Sequence, residues 1–333
     1  MKRWLKRILG TAALVLLAFA AYGTWRFEHP PMPTGSVSLP AEKSLPSGLA
    51  AQYFGTTSVV FRDGRNAVMV DALLTRPGMS KVLFGKLASD AALIDDTLRQ
   101  ASLSRADLLL ISHTHYDHVL DAAAIADRLG AAIVGSSSTR QVALGAGVPP
   151  SRIIVVNGGE KLEAGDFKVT VFRSLHSLGD RIPGQVTTPV RQPASAKEFK
   201  EGGTYAFLIE HQGLRILVHA SANFVPGMYH GVHADVIFLA TGGLASQPVD
   251  FTSRYWAETV EATGAKLVVP IHWDDFFQPL GRPLQPLRRF LDNVPLTMER
   301  IAPLAARDGV TIRYMPVIAP VDIEAAARAA AGH

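Results

Sequence analysis

Six consecutive residues, His113-Thr114-His115-Tyr116-Asp117-His118, follow directly on the apolar run Leu108-Leu109-Leu110-Ile111. The run has the character of a buried strand, so four potential cation ligands leave its end within one short loop. Alternate histidines there can converge on one cation, while Asp117 and His118 face a second position beside it. A merely solvated polar loop does not explain why all four follow a buried strand. The chain has no cysteine, which excludes disulfides, thiolate nucleophiles and zinc ribbons and restricts any metal to nitrogen and oxygen ligands.

Around this loop the pattern alternates between strand and helix. Ser58–Arg62 and Asn66–Asp71 are β-rich and separated by Asp63-Gly64, which predicts a hairpin, with Asp71 ending its second strand. Helical spacing covers Ala88–Ala101 and Val119–Leu129, and a short strand is expected over Ala131–Val134. Further strands are expected at Ile153–Val156, Lys168–Phe172, Tyr205–Glu210, Leu214–Val218, Ala234–Ala240 and Lys266–Ile271, and a helix at Arg254–Thr263. The fold class expected is α/β in layers. Between two of these strands, Leu178–Gly203 is long, rich in Gly and Pro, and carries Arg181, Arg191, Lys197 and Lys200. It reads either as a mobile cover for a substrate or as an inert surface insertion.

Two later histidines sit where strands end: His176 just past Lys168–Phe172, and His272 at the end of Lys266–Ile271. Both are candidate ligands. His230 and His233 precede a strand instead and read as surface histidines. Tyr116 and Trp273 flank ligands, where lining a pocket and packing a core are equally good readings.

The histidine loop, the strand-end Asp71, the downstream His176 and the late His272 together resemble the metallo-β-lactamase superfamily. More narrowly, Val268-Val-Pro-Ile-His-Trp-Asp274, after Asp235-Val-Ile-Phe-Leu-Ala-Thr-Gly-Gly243, is similar to the L-ascorbate-6-phosphate lactonase-like branch. The resemblance covers residues 50–315 and implies an αββα sandwich. It further implies that His113, His115 and His176 hold one metal and Asp117, His118 and His272 another, with Asp71 orienting the histidine loop from behind. Where the family usually has a bridging aspartate, this chain has Ser221, within His219-Ala-Ser-Ala-Asn223. Losing that anion predicts a weaker or empty second position, with Asn223 or His219 as neutral substitutes or as turn residues.

A cation held by neutral imidazoles acidifies a bound water to a hydroxide nucleophile near neutral pH, with Asp117 to orient the water or carry its proton. The expected function is therefore a metal-dependent hydrolase of an ester, lactone or phosphodiester, on a small-molecule or lipid substrate. Zinc is the expected metal, as one or two ions, with manganese or iron compatible. An iron-dependent oxidoreductase of the same fold and a non-catalytic envelope protein that keeps the fold are the alternatives.

Net charge is +4, but five cations precede the first acidic residue, Glu28, so residues 27–333 carry −1 and nucleic acid is not an expected partner. Those cations introduce the uncharged run Ile8–Trp25, so residues 1–26 read as a signal anchor, or as a signal peptide cleaved after Ala18-Phe19-Ala20. Either places the rest outside the cytoplasm, anchored in an inner membrane or free in the periplasm. Residues 27–48, with five prolines, are expected to be a linker, 49–318 the hydrolase domain, and 319–333 an Ala-rich tail fraying as a helix.

Overall fold

Strand pairing follows from where the β-branched runs fall. The computed structural model describes residues 2–280 and 283–332. In chain order the strands are β1 (Ala50–Tyr53), β2 (Val59–Arg62), β3 (Ala67–Val70), β4 (Leu108–Leu110), β5 (Ala132–Gly135), β6 (Ile153–Val155), β7 (Lys161–Ala164), β8 (Phe167–Ser174), β9 (Thr204–His211), β10 (Leu214–His219), β11 (Val236–Ala240), β12 (Leu267–Ile271), β13 (Thr311–Ile312) and β14 (Val321–Asp322). The helices are α1 (Lys2–Glu28), α2 (Met79–Phe84), α3 (Ala91–Gln100), α4 (Tyr116–Val119), α5 (Ala122–Leu129), α6 (Ser137–Gly145), α7 (Val249–Trp256), α8 (Val294–Asp308) and α9 (Ile323–Ala331).

Two mixed seven-stranded sheets result, ordered β14-β1-β2-β3-β4-β5-β6 and β13-β12-β11-β10-β9-β8-β7. The expected hairpin β2–β3 pairs Val59 with Val70, and β9–β10 pairs His211 with Leu214. Strands β1 to β4 and β11 and β12 are buried at every position, as sheets covered on both faces require. One core fills the space between the sheets, including Phe61, Phe167, Phe207 and Phe238. A second lies between the first sheet and its helices, with Met69, Leu109, Ile94, Ile125 and Leu129. Trp256, Val260, Met298 and Ile301 of α7, its continuation and α8 extend the first core over the outer face of the second sheet. Each fully buried large apolar side chain contributes roughly 1.5–3 kcal/mol of transfer free energy, so the layers lock the strand ends in place.

Three expectations change. The tail does not fray away: β14 pairs with β1, and α9, capped by Asp322, buries Ile323 and Ala327 against the core. The domain therefore continues past 318. Residues 27–48 are not a free linker either, since Leu39 is buried, its amide donates to Tyr314 O, and the Tyr314 amide donates to Val37 O. Finally, Leu178–Gly203 is anchored: Val186, Val190, Ala194 and Phe199 are buried in the second core, and Leu87 and Ala194 pair through both backbone bonds.

Candidate metal centre

Each proposed ligand follows a strand whose position the sheets fix. The parallel register β3–β4 sets Val70 against Leu110, so Asp71 and the histidine loop emerge side by side. His113 to His118 follow β4, His176 follows β8, the Ser221 turn follows β10, and His272 follows β12. His115 ends that loop as the residue before α4, whose single turn carries Asp117 and His118.

All six expected ligands come together in two groups. His113, His115 and His176 have potential ligand atoms within 4.8 Å of one another, and so do Asp117, His118 and His272. The groups touch where the rings of His113 and His118 lie 3.7 Å apart between centroids. His113 Nε2 and His118 Nε2 are buried and have no hydrogen-bond partner among the described residues. Buried imidazole nitrogens normally have one, so this pair fits a cation.

Asp71 lies beneath the histidine loop, bonded to it at two points. Its carboxylate accepts from His118 Nδ1 at 2.8 Å, the Thr57 hydroxyl at 2.6 Å, the Ser112 hydroxyl at 2.8 Å and the Ser112 amide at 2.7 Å. Donation from Nδ1 leaves the Nε2 lone pair of His118 for a metal. His176 is set in the same sense, because its Nδ1 donates to Ser177 O at 2.9 Å.

The protonation states of His113, His176 and Asp117 suit ligation. Burial, followed by repulsion from the neighbouring imidazoles, holds His113 well below its ordinary value, and burial with His115 takes His176 down to about 4. Burial alone would raise the Asp117 carboxyl, but His118, His272 and His115 outweigh it and keep the group anionic, far below the usual carboxylate range. Burial would lower His272, yet Asp117, with its Oδ2 3.4 Å from His272 Nε2, raises it.

Ser221 holds no metal-facing charge. Its hydroxyl accepts from the Ser177 amide at 2.9 Å, while Asn223 Nδ2 donates to His176 O at 2.7 Å. The turn thus grips the backbone on both sides of the His176 ring. Neither neutral substitute is free to ligate: His219 Nε2 donates to Asn223 O and its Nδ1 accepts from Tyr229, and Asn223 Oδ1 accepts from Phe224 N. His233 pairs with Asp235 at 3.2 Å, in keeping with its reading as a surface residue. Tyr116 and Trp273 are buried in the cores and pack.

Several contributors were not evident from sequence. Asp180 Oδ1 lies 3.3 Å from His115 Nε2, and Ile182 O lies 3.2 Å from it, so the 178–203 segment reaches the centre. Asp274 forms a fully buried ion pair with Arg76 and accepts from Thr56 N at 2.7 Å, fixing the chain just past His272. Asp71, Thr56 and His272 all have positive φ, at 51°, 52° and 58°. Such strain in non-glycine residues gathers where the surroundings hold side chains to a task. The turn composition gave no sign of these. A third grouping, Asp63, Asp166 and His211, lies at the opposite strand ends, where Asp63 already bonds His211 and two backbone amides.

With this geometry in hand, comparison with known proteins is direct. A UPF0173 metal-dependent hydrolase of Dinoroseobacter shibae is 29% identical over 202 residues, covering 60% of this chain and 79% of that protein. Another, from Anaeromyxobacter sp. (strain K), is 32% identical over 110 residues, and the chain spans only 40% of its length. Among solved structures, CmlA, a diiron β-hydroxylase from Streptomyces venezuelae, shares the fold at a TM-score of 0.52 and 18% identity, covering 83% of this chain and 54% of that one. The model of the Beta-lactamase superfamily domain matches residues 66–273, more than half of the chain and every ligand position described, and with its two mixed sheets and flanking helices the chain belongs to that family and has the metallo-β-lactamase fold.

Proposed function

We propose that this protein is a metal-dependent hydrolase acting on an ester, lactone or phosphodiester, with carboxylic esters and lactones first, in line with the lactonase-like segment Val268–Asp274. The observation that carries this reading is the pair of buried, unpartnered Nε2 atoms of His113 and His118, set among His115, His176, His272 and Asp117. A nitrogen-rich set without sulfur suits zinc, and also iron or manganese. A bound cation there supplies Lewis-acid polarisation of the substrate oxygen and acidifies water.

The protein's own groups do the rest. Asp117, held anionic by three imidazoles, orients water through Oδ2 rather than serving as a strong base. Asp71 keeps His118 in one tautomer, and the Ser221–Asn223 turn keeps His176 in place. Without a carboxylate at 221, one cation per chain is the expected loading. The N-terminal helix α1 acts as an anchor, with the domain outside the cytoplasm and a small-molecule or lipid substrate.

The test is elemental analysis of protein purified without chelator, together with a panel of chromogenic esters, lactones and phosphodiesters, on wild type and His115→Ala. Zinc-dependent turnover that His115→Ala abolishes while the fold persists supports the reading. Iron with no hydrolysis would favour the oxidoreductase, and metal-loaded protein inert to the panel the non-catalytic alternative.

A further inference from the structure

The apolar run of α1 ends against the domain instead of leading into free chain. Residues 6–28 form a helix of mean hydropathy 1.7 that is uncovered by the rest of the protein. The run Ile8–Trp25 would span about 27 Å at 1.5 Å per residue, close to the roughly 30 Å hydrocarbon thickness. Its last turn, Trp25–Glu28, would then lie in the headgroup layer.

That last turn is clamped. The Arg289 amide donates to Glu28 O at 3.0 Å and its Nε to Phe27 O at 3.1 Å. The Phe290 amide donates to Glu28 Oε2 at 3.0 Å, and the Arg289 guanidinium sits 4.7 Å from the centre of the Phe27 ring. Around this clamp Trp25, Phe27 and Phe290 are exposed by 53%, 60% and 58%, an aromatic cluster with cations at the end of an apolar helix. That composition is the one enriched at a membrane–water interface.

From the clamp to the metal centre the path is short and hydrogen-bonded. Leu287, two residues before Arg289, donates its amide to Trp273 O at 2.9 Å, and Trp273 adjoins the ligand His272. Asp274 bridges Pro286, and Arg288 Nε reaches Asp275 Oδ2 at 3.4 Å. Summing two backbone contacts and three residue steps at their extended limits puts the Cα of His272 no more than about 22 Å from that of Glu28. Because residues 37–39 are also bound to Tyr314, α1 has little freedom to swing away.

We propose that the last turn of α1 and Arg288–Phe290 form one face that seats on the surface of the phospholipid bilayer α1 crosses, holding the metal centre beside the headgroups. Substrate then enters from the interfacial layer, where amphiphilic esters concentrate. The seating rests on the anchor reading of α1 and only the substrate route rests on hydrolysis, so a failure of either is separately visible.

The chain's lack of cysteine makes the test clean. The full chain, with a single Phe290→Cys carrying an environment-sensitive fluorophore, is reconstituted in phosphatidylcholine–phosphatidylglycerol vesicles containing spin-labelled lipid. Arg65→Cys, at the β2–β3 turn on strand ends away from Asp71, serves as reference. Quenching at 290 should exceed that at 65 at least about twofold, and adding Arg289→Ala should reduce it. Equal, weak quenching at both positions would overturn the proposal. So would recovery of the wild-type chain as a soluble product starting after Ala20. Loss of hydrolysis in His115→Ala with unchanged quenching at 290 would leave this docking intact.

Discussion

Replacing Asp71 by Asn changes no atom count in the buried site but leaves one acceptor oxygen where four donors converge. Oδ2 accepts from His118 Nδ1, Thr57 and the Ser112 hydroxyl, and Oδ1 from the Ser112 amide. Turned one way, the new amide NH2 meets His118, and the imidazole proton moves to Nε2, removing the lone pair a metal needs. Turned the other way, it meets the Ser112 amide and leaves a buried donor unpaired. Loss of the carboxylate behind a ligand histidine costs about 10–100-fold in metal affinity, equivalent to about 1.4–2.7 kcal/mol. The unpaired donor costs a further 1–3 kcal/mol or so of stability. Competition for zinc against a chromogenic chelator reads the first quantity, and urea unfolding of chelator-treated protein reads the second. Thr57→Val removes one donor but keeps the carboxylate and its bond to His118, so it should leave metal affinity nearly unchanged. Wild-type zinc affinity in Asp71→Asn, with the stability loss present, would reduce Asp71 to a packing element and refute the tautomer argument.

Ser221→Asp should raise the metal bound per chain by elemental analysis, and unchanged stoichiometry would count against the placement of that residue. Arg76→Met should destabilise the metal-free protein by about 3–5 kcal/mol, because it strands the buried Asp274 carboxylate. Pairing it with Asp274→Asn should recover much of that loss, whereas simple additivity in urea unfolding would exclude coupling. His219 is buried and held at about 4 by desolvation, against 6.5 in an open chain. Its contribution is fully present above about pH 6.5 and lost as pH falls to about 4, roughly 3 kcal/mol. His219→Asn should therefore show a smaller drop in stability between pH 7 and 4 than the wild type, and parallel curves would refute the assignment.

The candidate cluster was legible because its possible ligands announce themselves as residue types at strand ends: Leu108–Ile111 reads as buried, and His113 to His118 follow at once. The long β-branched runs were equally plain, and β2, β3, β8, β9, β10 and β12 lie where the alternation places them. What escaped was set by tertiary context. Helix α8 carries Pro295 and Pro303, which propensity alone reads as breakers; Asn293 caps its start, where Pro295 is tolerated, and Met298 and Ile301 pay for the second proline through burial. Helix α6 starts at a Ser136–Thr139 capping box with little apolar periodicity to show it. Asp180, Asp274 and Arg76 act across long sequence separations, and no local pattern marks a carboxylate that will meet its partner only after folding.

An uncharged residue at 221 bears on how many ions the proposed centre would hold. Two divalent cations about 3.5–4 Å apart repel by on the order of 15–20 kcal/mol at an effective dielectric near 20. Of the six grouped ligands only Asp117 is anionic, and it lies with His118 and His272. The side chain at 221 is uncharged, so it brings no negative charge to offset that repulsion. The hydroxyl holds Ser177, and Asn223 holds the His176 carbonyl, so the turn steadies a histidine of the first group. Asp180 brings a further carboxylate, 3.3 Å from His115. Negative charge thus flanks the His113–His115–His176 group from the loop and the Asp117–His118–His272 group from within. On this balance of charge a single cation is favoured over a close pair, which is the loading proposed above and the one that the Ser221→Asp stoichiometry tests.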